Sequence, residues 1–147
     1  AFASAFMLIP IDSLPLAKFY SETSSLHFHS LFIKNLVPGN LSPFNEFYTW
    51  PLAAVLLLIF LFSAISIFLY KNRRAQMLWI KVNIILSFIL LGGFFFGYMT
   101  MMEKELQTIA IYSFSSFMPA IILVSLLFAY RGVKKDDKLI KSMDRIR

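Results

Sequence analysis

The sequence predicts an all-α integral membrane protein: a small bundle of three complete transmembrane helices, a truncated fourth at the N-terminus making four crossings, and a short extracytoplasmic segment. Of its 147 residues 59% are apolar, and mean hydropathy is +0.71, against about 45–50% apolar residues in a soluble domain. Three stretches reach the roughly 20 apolar residues that cover about 30 Å of hydrocarbon at ~1.5 Å per residue. Fourteen Lys and Arg against eight Asp and Glu give a formal charge of +6. These cations gather beside the apolar runs, the distribution of a membrane protein with lipid headgroups as partners and no nucleic acid. The absence of cysteine excludes disulfides, thiolate metal sites and thiol nucleophiles.

Residues 1–9, AFASAFMLI, are closed by Pro10 and reach only about 14 Å as a helix. They are either the far end of a spanning helix or a short interfacial segment; charge bias favours the first, so 1–10 is read as the end of a first helix. The first complete span, 48–70, holds no charge, with Thr49 placed to cap it and Pro51 in the first turn, where a missing N–H breaks no bond. The second, 77–102, has one cation, Lys81, a turn from its start, from which the long stem reaches the headgroups. The third, 108–130, has Pro119 mid-span, which predicts a kink eased by Ser115 and Ser116. Aromatic pairs Tyr48 or Trp50 with Tyr70, Trp79 with Tyr98, and Tyr112 with Tyr130 lie roughly 27–33 Å apart at helical rise, as interfacial belts do.

Lys71, Arg73, Arg74 and Lys81 flank one loop, 71–76, and seven more cations fill the tail 131–147, whereas 11–47 and the turn 103–107 hold Lys18, Lys34 and Lys104. This bias of eleven to three predicts a cytoplasmic loop and tail and an extracytoplasmic 11–47. In 11–47, Pro38-Gly39 signals a turn, Leu26 to Ile33 reads as an extended run, and Ser42-Pro43 starts a short helix. His27 and His29 share a strand face, but a third metal ligand would have to come from Asp12, Glu22, Glu46 or a partner, so neither a metal nor any other cofactor is expected.

No ionisable residue occupies the centre of a span, and no phosphate loop, HExxH, nucleophile elbow or embedded carboxylate pair is present, so no catalytic residue is assigned. Asn83, with Ser87 one turn later, predicts hydrogen bonding to another helix, and Gly93-FFF-Gly97 permits close helix approach. Headgroup or partner docking falls to Arg73, Arg74, Lys81, Arg131, Lys134 and Lys135, together with the tail's apolar stripe Leu139, Met143 and Ile146. Asp137 stands four residues before Lys141, a helix-stabilising spacing.

The ending AYRGVKKDDKLIKSMDRIR, with the connection FLYKNRRAQMLWIKVNIIL, resembles a family of small uncharacterised bacterial inner-membrane proteins known only as a domain of unknown function. The resemblance covers most of 48–147 and rests chiefly on the basic KKDDKLIKSMDRIR tail; 11–47 holds no recognisable motif. It implies four spanning helices and a bacterial inner (cytoplasmic) membrane, and transfers no activity.

The expected function is a non-catalytic accessory or stabilising subunit packed against larger integral-membrane subunits of a bacterial inner-membrane complex. The alternative is a small homo-oligomeric transporter or lipid-handling protein, which requires a polar cavity lined by Asn83, Ser87 and the serines of the last span. A membrane enzyme using His27 and His29 at an outer site is a third reading.

Overall fold

The computed structural model describes residue 4 and residues 15–20, 25–36 and 46–144. After a 3-10 turn at Glu46–Thr49, helix α1 runs Trp50–Phe68, and a second 3-10 turn, Leu69–Lys71, leads to α2, Arg73–Gly92. The connection is short because Asn72 caps α2, its side chain accepting a hydrogen bond from the Ala75 N–H at 3.3 Å. The helix continues through a π-helical segment, Gly93–Met99, into α3, Thr100–Leu106. The last helix, α4, runs Met118–Asp144.

Three helical runs are long and apolar enough to cross a membrane: Trp50–Lys71, Arg73–Leu106 and Phe114–Met143. Only 28%, 28% and 22% of their most apolar stretches are buried. Leu57, Leu61, Ile67, Phe68, Phe88 and Phe128 all point outward, a surface that water would penalise and lipid accepts. The buried positions of α1 are Leu52, Leu56, Ile59, Ser63 and Ser66, and those of α2 are Ile80, Asn83, Ser87 and Leu90. Their alternating three- and four-residue spacing makes a narrow seam of coiled-coil type. Helix α2 is central and packs on both α1 and α4.

A small antiparallel sheet joins the helices, so the protein is not purely α. Its strands are β1 Ala17–Tyr20, β2 Ser25–Phe28, β3 Ile33–Asn35 and β4 Ile111–Tyr112, in the order β3-β2-β1-β4. Register pairs Ala17 with Phe28 and Phe19 with Leu26 on one face, and Lys18, His27 and Lys34 on the other. The first face is buried, with Phe19 at 1% exposure and Ala17, Leu26 and Phe28 at 0%. Phe28 meets Phe94 and Tyr98 at ring distances of 6.1 and 5.9 Å, and Tyr98 meets Tyr48 at 5.3 Å. The run Arg73–Leu106 has 34 residues, about 50 Å at helical rise and so longer than the ~30 Å hydrocarbon layer. The sheet packs on its later part through Phe28 against Phe94 and Tyr98.

The last span departs from expectation for the same reason. Residues 111 and 112 pair with β1 instead of starting a helix, and the Ser113 N–H donates to the Leu16 carbonyl. Helix α4 therefore begins at Met118, placing Pro119 in its first turn, where it causes no mid-span kink. Ser116 donates from its hydroxyl to the Leu16 carbonyl, tying helix to sheet instead of easing a kink. Tyr112 lies on β4, so its helical distance to Tyr130 does not apply. At its other end α4 continues without a break into the basic tail.

Further local expectations also shift. Thr49 makes no side-chain cap, because the preceding 3-10 turn holds it in a helical conformation with its hydroxyl buried. Pro51 does sit in the first turn of α1. Residues 103–106, expected as turn, complete α3, which ends at Gln107 with φ 48°. The chain leaves that left-handed residue held by Thr108, which donates to the Tyr20 carbonyl at 2.7 Å, and by Glu103, which accepts from the Ala110 N–H at 3.1 Å. Pro38-Gly39, Ser42-Pro43, Ile146 and residues 1–3 and 5–10 lie outside the described residues.

Candidate functional site: a polar cleft and a basic pocket

The seam between α1 and α2 changes chemistry along its length. Near the sheet it is closed by Leu52, Leu56, Ile59, Leu90 and Phe94. Farther along, Ser63 and Ser66 replace the aliphatic residues of α1 and Asn83 and Ser87 those of α2. Small side chains there leave a cavity of about 640 Å³ between α1, α2 and α4. Ser63, Ser66, Asn83 and Ser125 supply its polar groups, Ile80, Ile122 and Leu126 its apolar wall, and Gln76 and Asp136 stand at its far end.

Asn83 is wholly buried and donates from Nδ2 to the Ser63 hydroxyl at 3.1 Å. That bond orients the amide and leaves Oδ1 without a partner among the described residues. Asn83 is ten residues into α2, about 15 Å along the helix from Arg73. The Ser87 hydroxyl, one turn on and also wholly buried, has no partner either. Ser125 is satisfied locally, donating to the Ile121 carbonyl at 2.8 Å.

Gly93 and Gly97 do not form a close helix contact among the described residues. A Cβ built at either meets no atom within 4 Å. Both fall in the π-helical segment, whose wider turns carry Phe94 beneath the sheet while Phe96 stays 82% exposed. The glycines line a shallow outer pocket with Tyr48, Pro51, Tyr98 and Met101.

The histidines are separated by the end of β2. His27 stands on the strand between Lys18 and Lys34. Burial, and then those two charges, hold its imidazole below the ordinary value. His29 lies beyond the strand, buried and stacked on Phe32 at 4.8 Å. Among the described residues no three His, Asp or Glu groups converge on a metal-sized site.

At the basic end, Arg73 opens α2 and is half-buried. Arg74 and Lys81 meet Lys134 in a second pocket between α2 and α4, while Arg131 and Lys135 are exposed outside it. Leu139 and Met143 are exposed at 53% and 64%, and Lys141 pairs with Asp137 across one turn. The individual charges were legible in sequence; their convergence from two helices was not. Ser63 and Ser66 were also missed, since serines at i and i+3 in an apolar span carry no signal until Asn83 is seen opposite.

No curated protein and no solved structure matches the chain. A family model described as Domain of unknown function (DUF4293) matches residues 1–146, including the segment 11–47 in which no motif is readable. With nearly the whole chain matched, the protein belongs to that family of uncharacterised proteins.

Proposed function

We propose that the chain is a non-catalytic accessory or stabilising subunit of a larger bacterial inner-membrane complex, and that the cleft between α1, α2 and α4 seats a transmembrane helix of a partner subunit. The cleft itself carries this reading: about 640 Å³ of open space between helices long and apolar enough to cross a membrane, with Ser63, Ser66 and Asn83 on its wall. A lipid chain filling the cleft would leave its hydroxyl-bearing wall facing hydrocarbon, whereas a helix bearing a hydroxyl or amide opposite Ser66 would hydrogen-bond to it. The lining extends on α4 from Ile122 to Asp136, about 21 Å at helical rise, and its serines together with Ala129 and Gly132 leave room for a close-packed helix. Purification in gentle detergent tests the reading: the protein should migrate with larger subunits and lose them on Asn83→Leu. Recovery of the wild type only as a free monomer overturns it.

The orientation that goes with this function places 11–47 and the sheet outside and the loop and tail in the cytoplasm, with four crossings in all. The cation bias of eleven to three supports it. Because the sequence has no cysteine, single cysteines at Ser24 and Ser142 report cleanly. An impermeant thiol reagent should label Ser24→Cys in intact cells and spare Ser142→Cys; the reverse pattern inverts the topology.

The second reading, a homo-oligomeric transporter or lipid-handling protein, draws on the cavity volume of about 640 Å³, within the usual range for small-ligand sites. A co-purifying lipid or solute displaced by Ser66→Phe, with no larger subunits present, would favour it.

A further inference from the structure

The second pocket, of about 480 Å³, lies between α2 and the end of α4. Helix α2 contributes Arg74 and Lys81, seven residues apart and on one face, and α4 contributes Lys134, Lys138 and Lys141, likewise on one face. Against these five cations stands one lining carboxylate, Asp137, already engaged by Lys141. Tyr130 draws two of the cations together from different helices: the ammoniums of Lys81 and Lys134 lie 5.8 and 6.0 Å from the centre of its ring. Like charges gathered this way repel unless an anion lies among them.

We propose that this pocket is a site for an anionic phospholipid, with two phosphodiesters matching its charge best, as in cardiolipin. Its lining specifies a lipid over free phosphate. Met77 and Leu78 form an apolar wall between the cations of α2, and Leu78 is 59% exposed. Lys81 lies eight residues into α2, whereas Lys138 and Lys141 belong to the charged end of α4. The cations therefore bracket headgroup depth, and tails leaving the site run along Ile85, one turn beyond Lys81 and 60% exposed. A scattered set of anchoring lysines would attract any anionic surface; five converging from two helices fix one headgroup.

The test is native mass spectrometry of the delipidated full chain, titrated with cardiolipin, with phosphatidylcholine, and with inorganic pyrophosphate as competitor. One cardiolipin should bind per chain, at least tenfold more tightly than phosphatidylcholine, and pyrophosphate should not displace it. Lys81→Gln, Lys134→Gln and Lys138→Gln together should weaken binding by about a hundredfold, at roughly fivefold per cation. Lys71→Gln, Arg131→Gln and Lys135→Gln remove the same charge outside the pocket and should cost less than about fivefold in all. Tyr130→Leu, which keeps every charge, should weaken binding severalfold. Equal losses in the two triple variants would reduce the site to diffuse attraction. Displacement by pyrophosphate would make it a soluble-phosphate site, and no preference for cardiolipin would remove it; each of these overturns the proposal.

Discussion

Toward the sheet, the seam between α1 and α2 carries Leu52, Leu56, Ile59, Leu90 and Phe94 and is roofed by Phe19, Leu26 and Phe28, all with little or no exposure. Toward the basic end the same spacing carries Ser63, Ser66, Ile80 and Asn83 and opens onto a cleft. The first half is closed by its own side chains, while the second keeps a buried acceptor, Asn83 Oδ1, that no described residue pairs. In a membrane the two halves answer to different forces. Apolar packing gains no hydrophobic driving force against lipid, so the closed half depends on the fit of its side chains and on the sheet that packs against it. The polar side chains lining the open half instead favour association with a group that can hydrogen-bond to them.

The largest expected effect lies in the closed half. Phe28→Ala removes the ring that joins the sheet to Phe94 and Tyr98 and should destabilise by about 3–5 kcal/mol, read as thermal unfolding in detergent. Ser66→Ala, in the cleft, should change stability by under about 0.5 kcal/mol. Comparable losses would mean that the halves do not differ.

Asn83→Leu comes next. Interhelical hydrogen bonds in membranes average about 0.6 kcal/mol, and this substitution also removes the unpaired oxygen. The isolated chain should therefore shift by less than about 1 kcal/mol while partner recovery falls. A loss of several kcal/mol in the isolated chain would assign Asn83 to the chain's own fold.

Gly93→Ala sharpens the comparison further. Open space around Gly93 predicts no clash and a gain of up to about 1 kcal/mol from helix propensity. Gly93→Leu should likewise leave the isolated chain folded, and a marked loss from either would show that this segment packs closely after all.

The smallest effect concerns pH. With the folded-state value of His27 lowered, the unfolded chain binds protons more readily, so stability is fully present above the ordinary histidine value of about 6.5 and declines as pH falls through it. His27→Gln should flatten part of that decline between pH values of about 7.5 and 5, and an unchanged slope would remove His27 from the account.

The three spans are legible because hydropathy accumulates over some twenty residues and tolerates errors at either end. The sheet is not, since its strands have two to four residues and Ala17 pairs with Tyr112 across most of the chain. The stretch around Ile109–Tyr112 is as apolar as the helix that follows, so a window extends the span too early and puts Pro119 in its middle. Asn83 stands out as an amide in an apolar run, yet its bond to Ser63 depends on the antiparallel register of α1 and α2. The glycine spacing was equally visible, but spacing marks only where a helix can approach, and no helix among the described residues does so.

The central claim is that the cleft is occupied by a partner's helix, and photo-crosslinking in native membranes tests it most directly. A crosslinking side chain at Ser66, inside the cleft, is compared with one at Leu57, which is 49% exposed on the outer face of α1. The account predicts a single adduct of defined, larger mass from position 66, absent from position 57 and lost when Asn83→Leu is added. Equal adducts from both positions, or only lipid adducts at position 66 whether or not Asn83 is replaced, would contradict it.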